Sequence, residues 1–224
     1  MSVLKAAAVF AASLLVGSIP WAYLIVRAVT GDDITLHGSG NVGAMNVRRT
    51  TGSWSWFVVA MFADALKGLL PTMLAKVVLA STPLLTPASQ AAPSAIVLPQ
   101  AAVLGAVVGH NYSIWLAIKD RRLRRTGKGL AAGAGALLAY DVRYFAAVLA
   151  AGLIVLALTR IMLAGQVAAA LALPVSSLLM RSPDWPFAIA LSAVVIAAHA
   201  RRLRGMARGE EPRMYVYDSG GPRG

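Results

Sequence analysis

The sequence predicts an all-α, polytopic integral membrane protein of about seven transmembrane helices, with the N-terminus outside and the C-terminus in the cytoplasm. Three observations carry this. Of the 224 residues, 58% are hydrophobic and 13% charged, against roughly 25% charged in an average soluble domain. The apolar residues fall in runs close to the ~20 residues that cross a bilayer as a helix. Basic residues collect in alternate connections between those runs, the pattern that orients membrane helices. The net charge of +12 is therefore read as topology and attraction to anionic headgroups, with no nucleic-acid partner.

The first apolar run, 3–28, is too long for a signal-peptide core of roughly 7–15 residues, and gives a first helix over 4–28. Within it, Gly17-Ser18-Ile19-Pro20 is a small, kink-capable segment suited to close helix packing. A polar, glycine-rich run follows at 38–49. The second helix, 54–80, carries Asp64 and Lys67, whose spacing of three puts them on one face. A lone charge at mid-bilayer costs roughly 2.5–3.5 kcal/mol, so the two are expected to pair or to face the bundle interior. Residues 81–94, rich in Pro, Ser and Thr, form an external loop before the third helix, 92–118. The fourth and fifth helices, 129–140 and 144–158, divide at Asp141-Val142-Arg143; a single helix over 129–159 would leave six spans. The sixth and seventh are 161–180 and 186–198.

Charge decides between six and seven. Arg48 and Arg49 follow the first span, the run 119–128 the third, Arg160 the fifth, and Arg201, Arg202, Arg204 and Arg208 the seventh. The alternate connections carry only Arg143 and Arg181. Seven helices fit this alternation and six do not. Arg121, Arg122, Arg124 and Arg125 are read as orientation anchors at the headgroups. Residues 1–211 form a single transmembrane domain and 212–224 a polar cytoplasmic tail.

The run Gly38-Ser39-Gly40-Asn41-Val42-Gly43-Ala44-Met45-Asn46-Val47-Arg48-Arg49 suits a phosphate. Exposed backbone N–H groups make an anion-binding concavity, Ser39, Asn41 and Asn46 add donors, and arginine adds a planar charged fork. The orientation puts it on the same face as Lys128, set in Thr126-Gly127-Lys128-Gly129, and as His199 at the end of the last helix. Such a gathering of cations balances phosphate charge. His110-Asn111 near the end of the third span either donates to a substrate or packs helices. Cysteine is absent and the three histidines are scattered, so no metal site is expected. Gly-x-Ser-x-Gly and Walker patterns are missing too. A site rich in phosphate ligands and poor in bases suits an already activated donor, such as an acyl phosphate.

These motifs resemble the bacterial acyl-phosphate–glycerol-3-phosphate acyltransferase family. Its Gly-Ser-Ile-Pro helix matches residues 17–20, followed by Tyr23. Its Gly-Ser-Gly-Asn-Pro-Gly-Ala-Thr-Asn-Val-x-Arg run matches 38–49, with Val42 for Pro and Met45 for Thr. Asp-x-x-Lys-Gly is matched at Asp64, Lys67 and Gly68, Gly-His-Asn at 109–111, and Gly-Gly-Lys-Gly at 126–129 with Thr126 for the first glycine. A closing His before a basic stretch ending Gly-x-Glu is matched by His199 and 209–211. The resemblance implies an enzyme of the bacterial cell membrane, making lysophosphatidic acid for phospholipid biosynthesis, with its active site facing the cytoplasm.

It implies catalytic roles for Ser39, Arg49, Lys128 and His199. It implies substrate contacts from Gly38, Gly40, Asn41, Asn46, Lys67, His110, Asn111, Gly127, Gly129 and Arg202. The partners are acyl phosphate, glycerol 3-phosphate and membrane lipids. No cofactor is needed, because the energy lies in the mixed anhydride, and a monomer is expected. The chain departs from the pattern at Arg202, where asparagine is usual, at Gly205, where arginine is usual, and in a basic loop before Lys128 several residues longer. Those departures also admit a different phosphorylated acceptor, or a non-catalytic lipid-phosphate-binding or transport protein.

Overall fold

A computed structural model describes residues 3–208. The tail at 212–224 and the Gly209-Glu210-Glu211 end of the last motif lie outside the described residues. The helices are α1 (Val3–Gly17), α2 (Trp21–Thr30), α3 (Ala44–Thr51), α4 (Trp54–Met73), α5 (Pro93–Asn111), α6 (Ile114–Asp120), α7 (Leu130–Tyr140), α8 (Val142–Thr159), α9 (Met162–Leu179) and α10 (Trp185–Ala207). Five helical stretches are long and apolar enough to cross a bilayer: Val3–Thr30, Trp54–Leu79, Ser94–Asp120, Val142–Thr159 and Met162–Leu179. Leu130–Tyr140 and Trp185–Ala200 are shorter apolar helices.

The burial pattern is that of a protein dissolved in lipid. On α4, Val58, Phe62, Leu66 and Leu70 point outward at helical spacing, while Ala60, Asp64, Lys67 and Gly68 are buried. Large apolar side chains face out and polar ones face in, because hydrocarbon cannot solvate the latter. On α8, Tyr144 is buried while Leu153, Ile154 and Leu158 are exposed.

Close helix contacts are made by small residues. A Cβ on Gly105 or Gly109 of α5 would run into the carbonyls of Phe10 and Leu14 on α1. Likewise a Cβ on Gly68 or Gly135 would meet the Ala132 or Ala65 carbonyl across the α4–α7 crossing.

Two helix breaks face each other. Pro20 lacks an N–H and disfavours helical geometry at Ile19, so the first long stretch parts at Ser18–Pro20. The third parts at Tyr112–Ser113, where Ser113 accepts from Leu116 N–H to cap α6 and donates 2.6 Å to Ser18 O. Lys67 Nζ donates to the Ile19 carbonyl released by the first break, at 2.9 Å, and lies 2.9 Å from Asp64 Oδ1. The expected Asp64–Lys67 pair is thus present and buried.

α7 and α8 are separate helices. Asp141 ends one and caps the other, accepting from Arg143 N–H at 3.0 Å. Its other oxygen accepts from Ala88 N–H at 2.8 Å. At that end of the bundle Asp184 accepts from Tyr140 Oη (2.8 Å), Tyr144 Oη (2.6 Å) and Ser177 Oγ (3.1 Å). The glycine-rich loops gather at the opposite end.

Candidate active site

The first loop is built from Asp33 onward. Asp33 Oδ1 accepts from Thr35 N–H (2.9 Å) and Thr35 Oγ1 (2.6 Å), fixing a tight turn over Ile34–Leu36. Burial raises the Asp33 pKa, but hydrogen bonds from Lys119 and Thr35 outweigh it and lower the value to about 2. Gly38 and Gly40 then take positive φ values of 54° and 64°, conformations that favour glycine. Asn46 is buried beneath this turn. Its Nδ2 donates to Ile34 O (3.1 Å) and His37 O (3.0 Å), and its Oδ1 accepts from Ser39 N–H (3.3 Å). Ser39 is left on the surface. The Arg49 side chain lies along the same turn, its Cδ 3.6 Å from where a Gly38 Cβ would stand.

The second loop carries Lys128. Thr126 N–H donates to Asn111 O at 2.8 Å, and Thr126 Oγ1 accepts from Ser113 N–H at 3.2 Å. A Cβ on Gly127 would enter the His110 ring and carbonyl. Gly129, at φ 76°, caps the N-terminus of α7, where N–H groups point at the loop. The two glycine loops are tied directly: Val42 N–H donates to Thr126 O at 2.7 Å, and both residues are buried.

The third contribution comes from α10. His199 is 1% exposed. Its Nδ1 lies 2.8 Å from Val195 O and its Nε2 3.0 Å from the Gln166 side-chain amide. Both ring nitrogens face oxygen acceptors, Val195 O and Gln166 Oε1, and the tautomer sets which of the two nitrogens donates. Lys128, Arg202 and Arg125 all lie within electrostatic range of this imidazole.

The expected catalytic residues therefore share one end of the bundle, but several expected substrate contacts are spent on structure. The Asn46 amide is used in holding the Ser39 turn. Lys67, 5% exposed, contacts Asp64 and the Ile19 carbonyl. His110, with Nδ1 3.6 Å from Asp64 Oδ1, packs under Gly127 and supports the loop from below. Asn111 holds the loop through its carbonyl, while its buried Oδ1 has no hydrogen-bond partner among the described residues. The Asn41 amide lies 3.0 Å from where a Gly43 Cβ would stand.

Two features escaped the sequence. A polar cavity of about 480 Å³ is lined by Ser39, Gly40, Tyr112, Arg122, Arg124 and Arg125, so three arginines expected to be headgroup anchors also line this cavity. On the other side, an apolar groove of about 190 Å³ runs between α7, α8 and α9, from Leu130 past Leu149, Leu153 and Leu156 to Gln166. Gln166 thus joins the groove to His199.

A lipid-facing helical bundle with one polar, cation-lined end and an apolar groove defines an integral membrane protein. Comparison with known proteins narrows this class. The glycerol-3-phosphate acyltransferase family profile matches residues 7–209. A glycerol-3-phosphate acyltransferase of Synechococcus elongatus is 37% identical over 202 residues, covering 89% of this chain and 90% of that one. One of an Anaeromyxobacter species is 32% identical over 216 residues, covering 92% and 95%. The crystal structure of PlsY (YgiH), an integral membrane glycerol 3-phosphate acyltransferase in its glycerol 3-phosphate form, superposes with TM-score 0.77 at 25% identity, covering 94% of this chain and 96% of that one. The chain belongs to the glycerol-3-phosphate acyltransferase family.

Proposed function

We propose that the chain moves the acyl group of an acyl phosphate onto a hydroxyl of glycerol 3-phosphate, giving lysophosphatidic acid and inorganic phosphate. Family membership supports the acyltransferase activity and the acceptor. The observation that carries the site assignment is the Val42–Thr126 hydrogen bond. It joins the Ser39 and Lys128 loops beside His199, between a polar cavity and an apolar groove.

In this reading the acyl chain lies in the groove past Leu130 and Gln166, and its phosphate meets Lys128 with the Gly127 and Gly129 loop. Ser39, Arg49 and the Gly38 N–H hold phosphate charge, with Gly40, Asn41, Asn111 and Arg202 alongside. His199 orients the acceptor hydroxyl. The hydroxyl oxygen bonds to the acyl carbon and the acyl carbon–oxygen bond to phosphate breaks. The leaving phosphate takes the proton. Cations and N–H groups stabilise the charge that develops on the way.

The membrane-embedded unit covers residues 1–211, with seven crossings, N-terminus outside and the site facing the cytoplasm of a bacterial cell membrane; the protein acts as a monomer. α1 with α2 and α5 with α6 each make one crossing, and α4, α7, α8, α9 and α10 one each. Arg48, Arg49, Arg121, Arg122, Lys128 and Arg160 near the site end, against Arg143 and Arg181 at the other, support that orientation. α7 has 11 residues, about 16 Å of helix, against a hydrocarbon thickness of about 30 Å. A helix that short leaves one end within the bilayer, and in this reading it is the Lys128 loop that is sunk below the headgroups, where an acyl phosphate would lie.

The site is tested by phosphate release from acyl phosphate and glycerol 3-phosphate. Ser39→Ala and Lys128→Ala are expected to lower it at least a hundredfold, about the loss on removing one transition-state donor; near parental rates in both would remove the assignment. A cysteine at Gly40 should label from the cytoplasmic side, and labelling from outside overturns the orientation.

A further inference from the structure

We propose that the arginine loop at 121–125 is a built anion subsite that captures the phosphate of the water-borne acceptor, and that Arg122 and Arg125 set this protein's affinity for it. The inference rests on the acyltransferase reading and assigns to it a segment that the family pattern lacks.

The loop is scaffolded over the Ser39 turn. Arg121 takes a positive φ of 51° and closes α6. Arg122 N–H turns back to Ala117 O at 3.1 Å. Arg124 grips Asp120 with both Nε (3.1 Å) and a terminal nitrogen (2.7 Å). Asp120 in turn holds Lys119 at 3.0 Å, and Lys119 Nζ lies 2.7 Å from Asp33 Oδ2. Asp33 fixes the turn that leads into Gly38 and Ser39. One relay of alternating charge thus runs from the base of the Ser39 turn to the arginine loop and sets their separation. On the far side Arg125 donates to Ala197 O at 3.1 Å, two residues before His199.

The scaffold also divides the cations. Lys119 and Arg124 are neutralised by Asp33 and Asp120. Arg122 and Arg125 have no carboxylate within ion-pair distance among the described residues. Both line the polar cavity with Ser39, Gly40 and Tyr112, and among the described residues no carboxylate lines it. A concave, cationic site without an internal counter-ion takes an anion, and guanidinium forks match phosphate oxygens. The cavity is lined by Ser39 and shares no lining residue with the apolar groove, which fits a small water-soluble phosphomonoester. An anionic lipid headgroup shares that chemistry, so the test separates the two sources.

Steady-state kinetics are measured in uncharged detergent at fixed acyl phosphate and varied glycerol 3-phosphate. Arg122→Ala and Arg125→Ala are each expected to raise KM for glycerol 3-phosphate at least tenfold, the loss expected for one hydrogen bond to a charged group. kcat should stay within about threefold, the KM effect should shrink as salt rises, and Arg122→Lys should recover part of it. Arg160→Asn, at the same end of the bundle but outside the cavity, should leave KM unchanged. An active parent with unchanged KM in both variants overturns the subsite. So does an effect seen only when anionic lipid is added, which assigns the loop to headgroups. An inactive parent, by contrast, would overturn the acyltransferase reading.

Discussion

Replacing Val42 by proline restores the residue that the acyltransferase pattern carries there, and the structure predicts that it does harm. The Val42 N–H is the donor that binds Thr126 O at 2.7 Å, and Val42 and Thr126 are 6% and 3% exposed. Proline has no N–H, so the Thr126 carbonyl would remain buried without this partner, at a cost of about 1–3 kcal/mol. For a chain of this length each kcal/mol moves a thermal midpoint by about 2–4 °C, so a loss of several degrees is expected in detergent. Activity should suffer more than stability, because the same hydrogen bond sets the Ser39 loop against the Lys128 loop, and small misplacements of reacting groups are costly. A fall in kcat/KM of tenfold or more is expected. Val42→Ala keeps the N–H and loses only packing, so it should retain most of its kcat/KM even where its midpoint falls. The departures at 42 and 126 face each other, which makes them a coupled pair. In a double-mutant cycle Val42→Pro with Thr126→Gly should deviate from additivity by at least about 0.5 kcal/mol. Val42→Pro with parental midpoint and parental kcat/KM would refute the reasoning.

Three other perturbations follow from named contacts. Gly127→Ala places a Cβ in the His110 ring; it should lower phosphate release at least tenfold, whereas Gly31→Ala, with open space around it, should cost only about 1 kcal/mol of backbone strain and no activity. Lys67→Met strands Asp64 in the bundle and should destabilise by about 3–5 kcal/mol, with the double variant Asp64→Asn/Lys67→Met recovering much of it in unfolding experiments. Asp33 titrates at about 2 against an ordinary 3.8. Because its folded-state value is lowered, its stabilisation is present above pH 3.8 and disappears as pH falls through about 2. Asp33→Asn should flatten the stability profile across that window; an unchanged profile would remove the Asp33–Lys119 anchor.

How much was legible in sequence depended on whether a residue's role was local. The membrane class follows from apolar runs and alternating charge, and each predicted run holds a helix. Proline marks the break at Ser18–Pro20, but the break at Tyr112–Ser113 has no such signal, since it is specified by the Ser113–Ser18 hydrogen bond between residues 95 apart. The glycine loops were legible because their composition is alien to an oily chain. The backbone partners of Asn46 and Lys67 were not. A buried amide or amine reads as a ligand in sequence, yet here both satisfy backbone carbonyls that turns and helix breaks leave open. The place of Arg122, Arg124 and Arg125 beside the Ser39 turn was not legible either. A basic run beside a helix end has the same pattern whether it faces lipid headgroups or folds over a loop, and the Asp33–Lys119 contact that folds it back joins residues 86 apart. Gln166 gave no signal, being a lone amide in an apolar helix whose partner lies 33 residues away on α10.

The central claim is that one end of this bundle joins an acyl phosphate to glycerol 3-phosphate. Purified protein in detergent or lipidic mesophase, given both substrates, should release phosphate and form lysophosphatidic acid in equal amounts, with neither appearing when glycerol 3-phosphate is left out. No phosphate release or lysophosphatidic acid above background, with a known glycerol-3-phosphate acyltransferase active in parallel, would contradict it.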